Sequence, residues 1–395
     1  MTKNIDMLHG PLMKKIFWFA LPIAGSSILQ QLFSAADVAV AGRFAESGAL
    51  AAVGSNSVLV SFYINLFAGL SVGVNVVVSH FLGQQKRKEV GTVIHTAVLF
   101  SLFCGLILMA AGLLFSRQLL TVIGTPADVL ERAILYFRIY CLGVPFISLY
   151  NFCAVILRST GDTRRPLYCL AISVVLNIIL NLLLVIGFHL GVAGVAIATS
   201  LANMAGSVMI LWILSREKED IRLELKKLGI HMPAQARMLR IGVPAALQSI
   251  VFSLSNICLQ TAVNGFGSSA VAGMTAAVNF EHFGYYIVTA FGQAAVTFVG
   301  QNYGAGQPFL FLTGMYEITG SSLRGMGRSL TPALLAVLGT VVFRVFWVYL
   351  IFPTWGTFSS LMMVYPVSWA LTGTMMTIYY FFAIQKIDRR SSVTG

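Results

Sequence analysis

The chain has 395 residues, of which 57% are hydrophobic and only 10% are charged, with a formal net charge of +12. A soluble protein of this composition would expose more apolar surface than water tolerates, so a water-soluble globular protein is excluded. Apolar runs such as 94–115 are long enough to cross a bilayer as helices, and they do not alternate with polar residues as β-barrel strands do. The sequence therefore predicts an all-α polytopic membrane protein.

Apolar segments follow one another along the whole chain. The first half is predicted to form a lobe at 1–215 and the second a lobe at 239–390, joined by a charged segment at 216–238 that we expect to form a solvated helix on the membrane face. The first span has no cleavage pattern after it, so it is expected to be retained. The predicted spans are 16–42, 50–82, 91–115, 133–157, 166–188 and 190–214, then 239–264, 270–300, 330–352 and 357–384.

The two halves repeat one pattern. Ala20-Leu21-Pro22 is matched by Gly242-Val243-Pro244, and Gly83-Gln84 by Gly300-Gln301. Further on, Arg158 to Asp162 is matched by Arg324 to Arg328, with Pro166 and Pro332 following at the same spacing. Two homologous halves in a membrane are typical of transporters, in which the substrate lies between the halves and one half moves against the other.

The second half is shorter than the first at one place. Gly83 and Arg158 are 75 residues apart, but Gly300 and Arg324 are only 24 apart. Residues 308–322 are too few for a span of about 20 residues, and one crossing there would invert every later loop. We therefore expect about one and a half helices to be missing between 306 and 308, so that the second lobe is incomplete and the chain has about 11 hydrophobic helices instead of 12.

The basic residues favour one side of the membrane. Of 26 lysines and arginines, 21 fall in the N-terminal segment, the C-terminal segment, the linker and alternate loops. By the positive-inside rule, both termini and the linker are predicted to be cytoplasmic, in a multi-pass protein of the cytoplasmic (inner) membrane. The charge is therefore explained without nucleic-acid binding.

Cysteine and histidine spacing does not predict catalysis. All five cysteines fall within apolar spans without a CxxC pair, and the six histidines show no HExxH or comparable spacing. The cysteines are interpreted as small packing residues. No enzyme, no cofactor and no metal site is predicted, apart from Na⁺ at the acid described next.

Asp37 is the only acid in the first-half spans. A carboxylate in a low-dielectric site must be protonated or hold a cation, so Asp37 is a candidate for ion coupling. The alternative is an acid at a helix end that pairs with Arg43 at the interface.

Polar residues on later helices are further candidates. Asn177 and Asn181 are four residues apart and share one helix face, and Thr199 follows in a glycine-rich stretch that permits close helix packing. Amide pairs of this kind also serve as hydrogen-bond partners between helices. Glu281 and Glu317 are the other intramembrane acids, and each could instead lie near a span end.

Together, the order and spacing of these features resemble the multidrug and toxin extrusion (MATE) family of secondary transporters. The residues that carry the resemblance are Asp37 to Arg43, Gly83 to Gln85, Leu157 to Asp162 with Pro166, Asn177 to Asn181, Gly191 to Thr199, Val299 to Gly306, Tyr316 to Gly325, Thr331-Pro332 and Arg344.

The resemblance implies a V-shaped antiporter of two six-helix lobes that exports organic, often cationic, compounds in exchange for H⁺ or Na⁺. Its cation site would be Asp37, Asn177, Asn181 and Thr199. Relatives often have Asp where this chain has Asn181, and an acid used by one branch in the seventh helix is absent here, so Asp37 is the main coupling candidate and H⁺ is favoured over Na⁺.

We expect small-molecule substrates, a monomer in the bilayer, and a substrate cavity that includes Gln31, Tyr63, Asn203, Asn279 and Glu281. Two alternatives remain open. A flippase for lipid or polysaccharide precursors would share the architecture, but few basic residues other than Arg344 lie inside the spans. A degenerate, non-transporting family member would explain the short second half.

Overall fold

The computed structural model describes residues 5–8, 12–46, 48–217, 221–264, 268–305, 317–355, 361 and 363–391. Throughout this part of the chain the regular structure is helical, and seven segments are long and apolar enough to span a bilayer: Lys14–Phe44, Ala49–Gly83, Arg87–Val122, Leu130–Ser159, Arg164–Gly187, Gly191–Ser215 and Leu330–Thr354. Many large apolar side chains on these helices are exposed, such as Ile107, Leu114 and Ile179, as expected of a surface that faces lipid. The prediction of an all-α membrane protein is confirmed.

The described residues of the first half form seven α-helices in chain order. They are α1 (Leu12–Phe44), α2 (Ala49–Ser55), α3 (Ser57–Gly83), α4 (Arg87–Val122), α5 (Leu130–Ser159), α6 (Arg164–Leu182) and α7 (Gly191–Ser215). The span predicted at 50–82 is divided into α2 and α3 at Asn56. The buried Asn56 amide donates to the carbonyl oxygens of Ala52 and of Ala133 on α5, and these bonds stabilise the break.

A linker (216–231) joins the halves, and α8 (Met232–Asn264) begins earlier than the predicted boundary at 238. A helix was expected in the linker, but its described residues form only a short 3₁₀ turn at Leu225–Lys227. The second half continues with α9 (Ser268–Gly304), α10 (Glu317–Gly325), α11 (Leu330–Ala336), α12 (Phe343–Phe346), α13 (Phe352–Trp355) and α14 (Val364–Ser391).

The pseudo-symmetry of the halves extends to irregular turns. Helix α6 continues into π-helical turns at Leu183–Gly187, and α11, α12 and α13 are joined by π-helical turns at Val337–Val342 and Trp347–Ile351. Counted from Pro166 and Pro332, the turns at Leu183–Gly187 and Trp347–Ile351 occupy overlapping positions in the two halves. Such turns widen a helix and are frequent at functional sites.

Helix α10 is the described part of the short region. Its nine described residues, Glu317–Gly325, make about 14 Å of helix. The Gly325 carbonyl at its end lies 2.7 Å from Nε2 of His80, near the end of α3, so α3 and α10 end on the same face. The Pro308–Tyr316 part of the short segment lies outside the described residues, and the missing one and a half helices stay a prediction.

One face of the bundle carries most of the basic residues. We call it the basic face and define it by the ends of α3 and α9, the loop 160–163 and the linker. Contacts join these parts: Gln301 Nε2 donates to Ser159 O, Ile5 N donates to Gly161 O, and Arg165 forms ion pairs with Asp162 and Glu217. The loops at the other ends of these helices lie on the opposite face. There Arg132 Nε and Glu46 Oε1 form an ion pair at 3.5 Å.

The two halves meet through α1 and α3 of the first and α8 and α9 of the second. Glycine permits this close approach. A Cβ atom at Gly73 would lie 2.0 Å from the Met238 carbonyl oxygen on α8, and one at Gly83 would lie 2.0 Å from the Gln301 carbonyl oxygen on α9. The backbones therefore touch between the middle of the bundle and the basic face.

Candidate functional site

A buried polar site lies inside the first half, where α1, α6 and α7 meet. Asp37 on α1 is 5% exposed, Asn177 and Asn181 on α6 are fully buried, and Thr199 on α7 is 3% exposed. The four-residue spacing of the two asparagines directs both amides toward α1, as the sequence pattern predicted. The structure thus brings the four predicted residues together around one carboxylate.

The described hydrogen bonds to Asp37 all come from neutral groups. Oδ1 accepts from Asn181 Nδ2 at 2.7 Å and from Asn177 Nδ2 at 3.1 Å, and Oδ2 accepts from Thr199 Oγ1 at 2.7 Å. Among the described side chains, no lysine, arginine or histidine pairs with Asp37. Arg43 is exposed and lies over the Phe44 ring at 5.9 Å, so the alternative Asp37–Arg43 pair is not formed.

A second layer of bonds holds these donors in place. Asn181 Nδ2 also contacts Asn177 Oδ1 at 3.2 Å, Thr199 Oγ1 also donates to Val195 O at 2.9 Å, and Asn203 Nδ2 donates to Thr199 O at 2.9 Å. Asn181 Oδ1 is buried and has no hydrogen-bond partner among the described atoms. This oxygen is an unused acceptor beside the only carboxylate of the site.

This donor set can hold one positive charge. A lone carboxylate can take up a proton, and with amide and hydroxyl oxygens it can coordinate a hard cation such as Na⁺ once the amides turn their oxygens inward. No group of three or more His, Cys, Asp or Glu residues suited to a metal ion occurs in the described part of the chain. A single carboxylate favours a monovalent charge over a divalent one.

The residues predicted for a substrate cavity are dispersed. Asn203 adjoins the Asp37 site, whereas Tyr63 packs within the first half, 3.4 Å from Leu108 O and stacked on Phe137. Gln31 lies where the halves meet and accepts a 2.8 Å hydrogen bond from the Tyr286 hydroxyl on α9. The side chains of Asn279, Glu281 and Glu317 lie outside the described residues.

Sequence reasoning missed the aromatic residues near the site. Tyr136 and Tyr140 on α5 are buried and stack with their ring centroids 6.3 Å apart, and α5 packs along α7, the helix that carries Thr199. Their four-residue spacing was a usable signal, because it places both rings on one helix face. Tyr286 had no such signal, since its partner Gln31 is distant in sequence.

The halves are joined at the basic face by two reciprocal hydrogen bonds, which we call the paired latch. His80 Nε2 on α3 lies 2.7 Å from Gly325 O on α10, and Gln301 Nε2 on α9 lies 2.7 Å from Ser159 O on α5. A carbonyl oxygen only accepts, so Nε2 of His80 is the donor. Ser159 and Gly325 occupy matched positions in the repeated motif. A side chain of each half therefore donates a hydrogen bond to the matched backbone carbonyl of the other half.

Further polar contacts support the paired latch. Arg158 NH1 donates to Gln293 Oε1 at 2.9 Å, and the buried Asn75 amide pairs with Thr297 Oγ1 at 3.0 Å. Each contact joins the first half to α9. The basic face is therefore closed between the halves.

The second half buries a charge of the opposite sign. Arg344 is 1% exposed, donates to Ser368 Oγ at 3.2 Å, and lies 5.4 Å from the centroid of the Phe252 ring. Thr340 and Thr372 form a buried hydroxyl pair at 3.1 Å nearby. A buried arginine in a membrane protein is costly, so it must be held by such contacts.

The sequence is similar to those of proteins described as probable multidrug resistance proteins. The chain is 28% identical over 296 residues to the probable multidrug resistance protein YoeA of Bacillus subtilis, a match that covers 73% of this chain and 64% of that protein. It is 29% identical over 308 residues to YpnP of the same organism, covering 77% of this chain and 68% of that protein. The matched region thus spans about two thirds of the length of these relatives.

Solved structures share the fold. A MATE transporter in a bent conformation superposes with a TM-score of 0.90 at 20% identity, covering 99% of this chain and 100% of that one. An outward-facing multidrug resistance MATE transporter gives a TM-score of 0.88 at 21% identity, covering 98% and 99%.

The sequence profile of one family, MatE, matches residues 22–183 and 244–311, which is more than half of the chain and includes parts of both halves. The resemblance predicted from the repeated motifs is confirmed. The chain belongs to the MatE family, which is a family of transporters and not of enzymes.

Proposed function

We propose that this protein is a cation-coupled antiporter that exports small organic, cationic compounds across the cytoplasmic membrane. The observation that carries the proposal is the buried Asp37 carboxylate, which is surrounded by neutral donors from α6 and α7. Coupling requires a group that binds one ion in one state of the transporter and releases it in another. Asp37 is suited to this role because no fixed positive charge among the described side chains neutralises it.

Asp37 is proposed to be loaded by H⁺ in preference to Na⁺. The three donors point their N–H and O–H groups toward the carboxylate. A proton needs only one acceptor within reach, whereas Na⁺ needs several oxygens turned inward. Asn181 Oδ1, which has no described partner, is the acceptor available to a protonated Asp37 after the amide turns.

Alternating access is proposed to proceed by opening and closing the paired latch. When the two halves are in contact at the basic face, a substrate between them has no open path to that side of the membrane. By the positive-inside rule the basic face is cytoplasmic, so the described state is closed to the cytoplasm. We propose a monomer that works without a cofactor, with both termini on the cytoplasmic side.

The experiment is efflux of a fluorescent organic cation from proteoliposomes carrying the wild type or Asp37→Asn. The variant keeps the side-chain volume, so it should fold and insert normally, and efflux driven by a pH gradient should fall by at least about 100-fold because the coupling step is lost. The matched control is Asp128→Asn, which removes an exposed acid on the opposite face and should transport at the normal rate.

Two outcomes would overturn parts of the proposal. Normal efflux by Asp37→Asn would remove Asp37 from the coupling step. Efflux that follows a Na⁺ gradient at fixed pH and ignores a pH gradient would make Na⁺ the coupling ion.

A non-transporting protein is the second candidate, because Gly300 and Arg324 are 24 residues apart where the matched Gly83 and Arg158 are 75 apart. It predicts no efflux by the wild type under either gradient, while an intact relative exports the same dye. Splicing the corresponding helices of that relative between 305 and 317 should then restore transport. Export of a lipid-linked precursor with no movement of organic cations would instead favour the flippase alternative.

A further inference from the structure

The linker is fixed to α4 on its inner side. The Glu224 N–H donates to His95 Nε2 at 3.0 Å, the His231 N–H donates to Thr96 Oγ1 at 3.2 Å, and Thr96 Oγ1 donates to Gly229 O at 3.3 Å. Leu223 adds an apolar contact and is 3% exposed. One end of the segment 224–231 is therefore held at His95 and the other at Thr96, which are adjacent residues of α4.

This attachment fixes the depth of the linker relative to the membrane. The apolar run of α4 begins at about Ile94, and residues 93–98 are buried. Phe103 and Ile107, further along the same helix, are 48% and 65% exposed and face the lipid. The linker thus contacts α4 where its apolar run starts, which is the boundary between the head groups and the hydrocarbon core.

The outer side of the linker is both apolar and basic. Leu225 is 73% exposed, and Met232, the first residue of α8, is 71% exposed. Arg222 and Lys226 are exposed beside them, and residues 221–231 contain three basic residues and one acid. Nearby, at the end of α7, the Arg216 guanidinium lies 4.5 Å from the Trp212 ring, and such aromatic residues are enriched at membrane interfaces.

We infer that the segment Arg222–Met232 is an interfacial anchor that binds anionic phospholipid in the leaflet on the basic face. Leu225 and Met232 enter the boundary region, and Arg222 and Lys226 contact the phosphate groups. Apolar side chains combined with basic ones at this depth are the pattern by which peripheral segments bind anionic membranes. The linker then holds the two halves at a common depth.

The test measures exposure of single cysteines to a membrane-impermeant maleimide in nanodiscs, which leave both faces accessible. Leu225→Cys and Met232→Cys should react at least about 10-fold more slowly than Gln84→Cys, an exposed position on the basic face outside the segment, when the discs contain phosphatidylglycerol. Of the native cysteines, Cys141, Cys153 and Cys169 are buried and Cys104 is half-buried, and the unmutated protein gives the background rate.

The charged side chains are tested in the same assay. In Leu225→Cys protein, protection should be stronger in phosphatidylglycerol discs than in pure phosphatidylcholine, and Arg222→Gln with Lys226→Gln should abolish this difference. The matched control is Lys86→Gln with Lys88→Gln, which removes two exposed charges from another part of the basic face and should leave the difference unchanged.

Equal labelling of Leu225→Cys and Gln84→Cys in both lipids would refute the anchor. Protection that is the same with and without phosphatidylglycerol would refute the anionic lipid as its partner. Labelling needs no transport, so these results are independent of the proposed antiport.

Discussion

The two halves share a frame but differ in the chemistry they bury. Counted from the matched prolines, Pro22 with Pro244 and Pro166 with Pro332, the positions that match Asp37, Asn177 and Asn181 are Leu259, Phe343 and Trp347. The first half therefore has a polar site where the second half has apolar residues. The second half instead buries a cation, Arg344, one residue away from a matched position. Repetition has preserved how the helices pack, while ion binding is proposed for one half only.

The largest effect is expected from adding a second acid to the polar site of the first half, because this increases its difference from the apolar positions of the second half. Asn181→Asp places a second carboxylate within hydrogen-bond reach of Asp37. A contact with a charged oxygen contributes about 1.5–3 kcal/mol to the binding free energy. The new carboxylate should therefore make Na⁺ bind roughly 10- to 100-fold more tightly than in the wild type. Isothermal titration with Na⁺ measures the change. Asn203→Asp adds the same charge one turn from Thr199, without contact to Asp37, and should produce a much smaller increase.

Glycine substitutions should weaken the contact between the halves. Gly83→Ala forces a Cβ to within 2.0 Å of the Gln301 carbonyl oxygen, so the helices must separate, at a cost of about 1–3 kcal/mol. The apparent Tm of the purified protein should fall. Gly54→Ala is the control, because nothing lies within 4 Å of the added atom, and an equal loss in both variants would contradict the packing explanation.

The paired latch should act as two additive contacts. A neutral hydrogen bond contributes a net of about 0.5–1.5 kcal/mol, so His80→Ala and Gln301→Ala should each shift the closed-to-open equilibrium by roughly 2- to 12-fold. Spin labels at Lys88 and Leu330, one on each half and both exposed, would report the larger separation.

Thr289→Ala is the control for the latch, because the Thr289 hydroxyl bonds only within α9 in the described contacts. If neither latch variant changed the distance distribution, the two hydrogen bonds would have no role in closure. If the double variant exceeded the sum of the single ones, the contacts would be coupled and not independent.

Replacing the buried arginine should have the smallest effect on coupling. Arg344→Met keeps most of the volume of the side chain, and removing a buried charge can be close to neutral when the packing is kept. We expect efflux by this variant to remain dependent on the same ion gradient. Loss of ion dependence would show that the second half takes part in coupling.

Sequence patterns predicted this fold well where they depend on apolar runs and helical spacing. Asn177 and Asn181 were assigned to one face by spacing alone, and the repeat located the matched halves. The convergence of Asp37 and Thr199 on that face depended on family resemblance, because nothing local in the sequence relates α1 to α7. The break at Asn56 was missed, since its side chain bonds to Ala133 on another helix.

The latch could not be predicted for the same reason. His80 and Gly325 are 245 residues apart, and the acceptor is a backbone carbonyl that leaves no trace in the sequence. The π-helical turns were missed as well, because their sequences are as apolar as those of ordinary α-helical spans.

The use of backbone carbonyls as latch acceptors has an evolutionary consequence. Every residue contributes a carbonyl, so no substitution at Ser159 or Gly325 can delete the acceptor, provided that the turn keeps its shape. The motif around it can therefore drift, from Arg-Ser-Thr-Gly-Asp in one copy to Arg-Gly-Met-Gly-Arg in the other, while the contact persists. Only the donor positions, His80 in one half and Gln301 in the other, remain subject to selection by side chain.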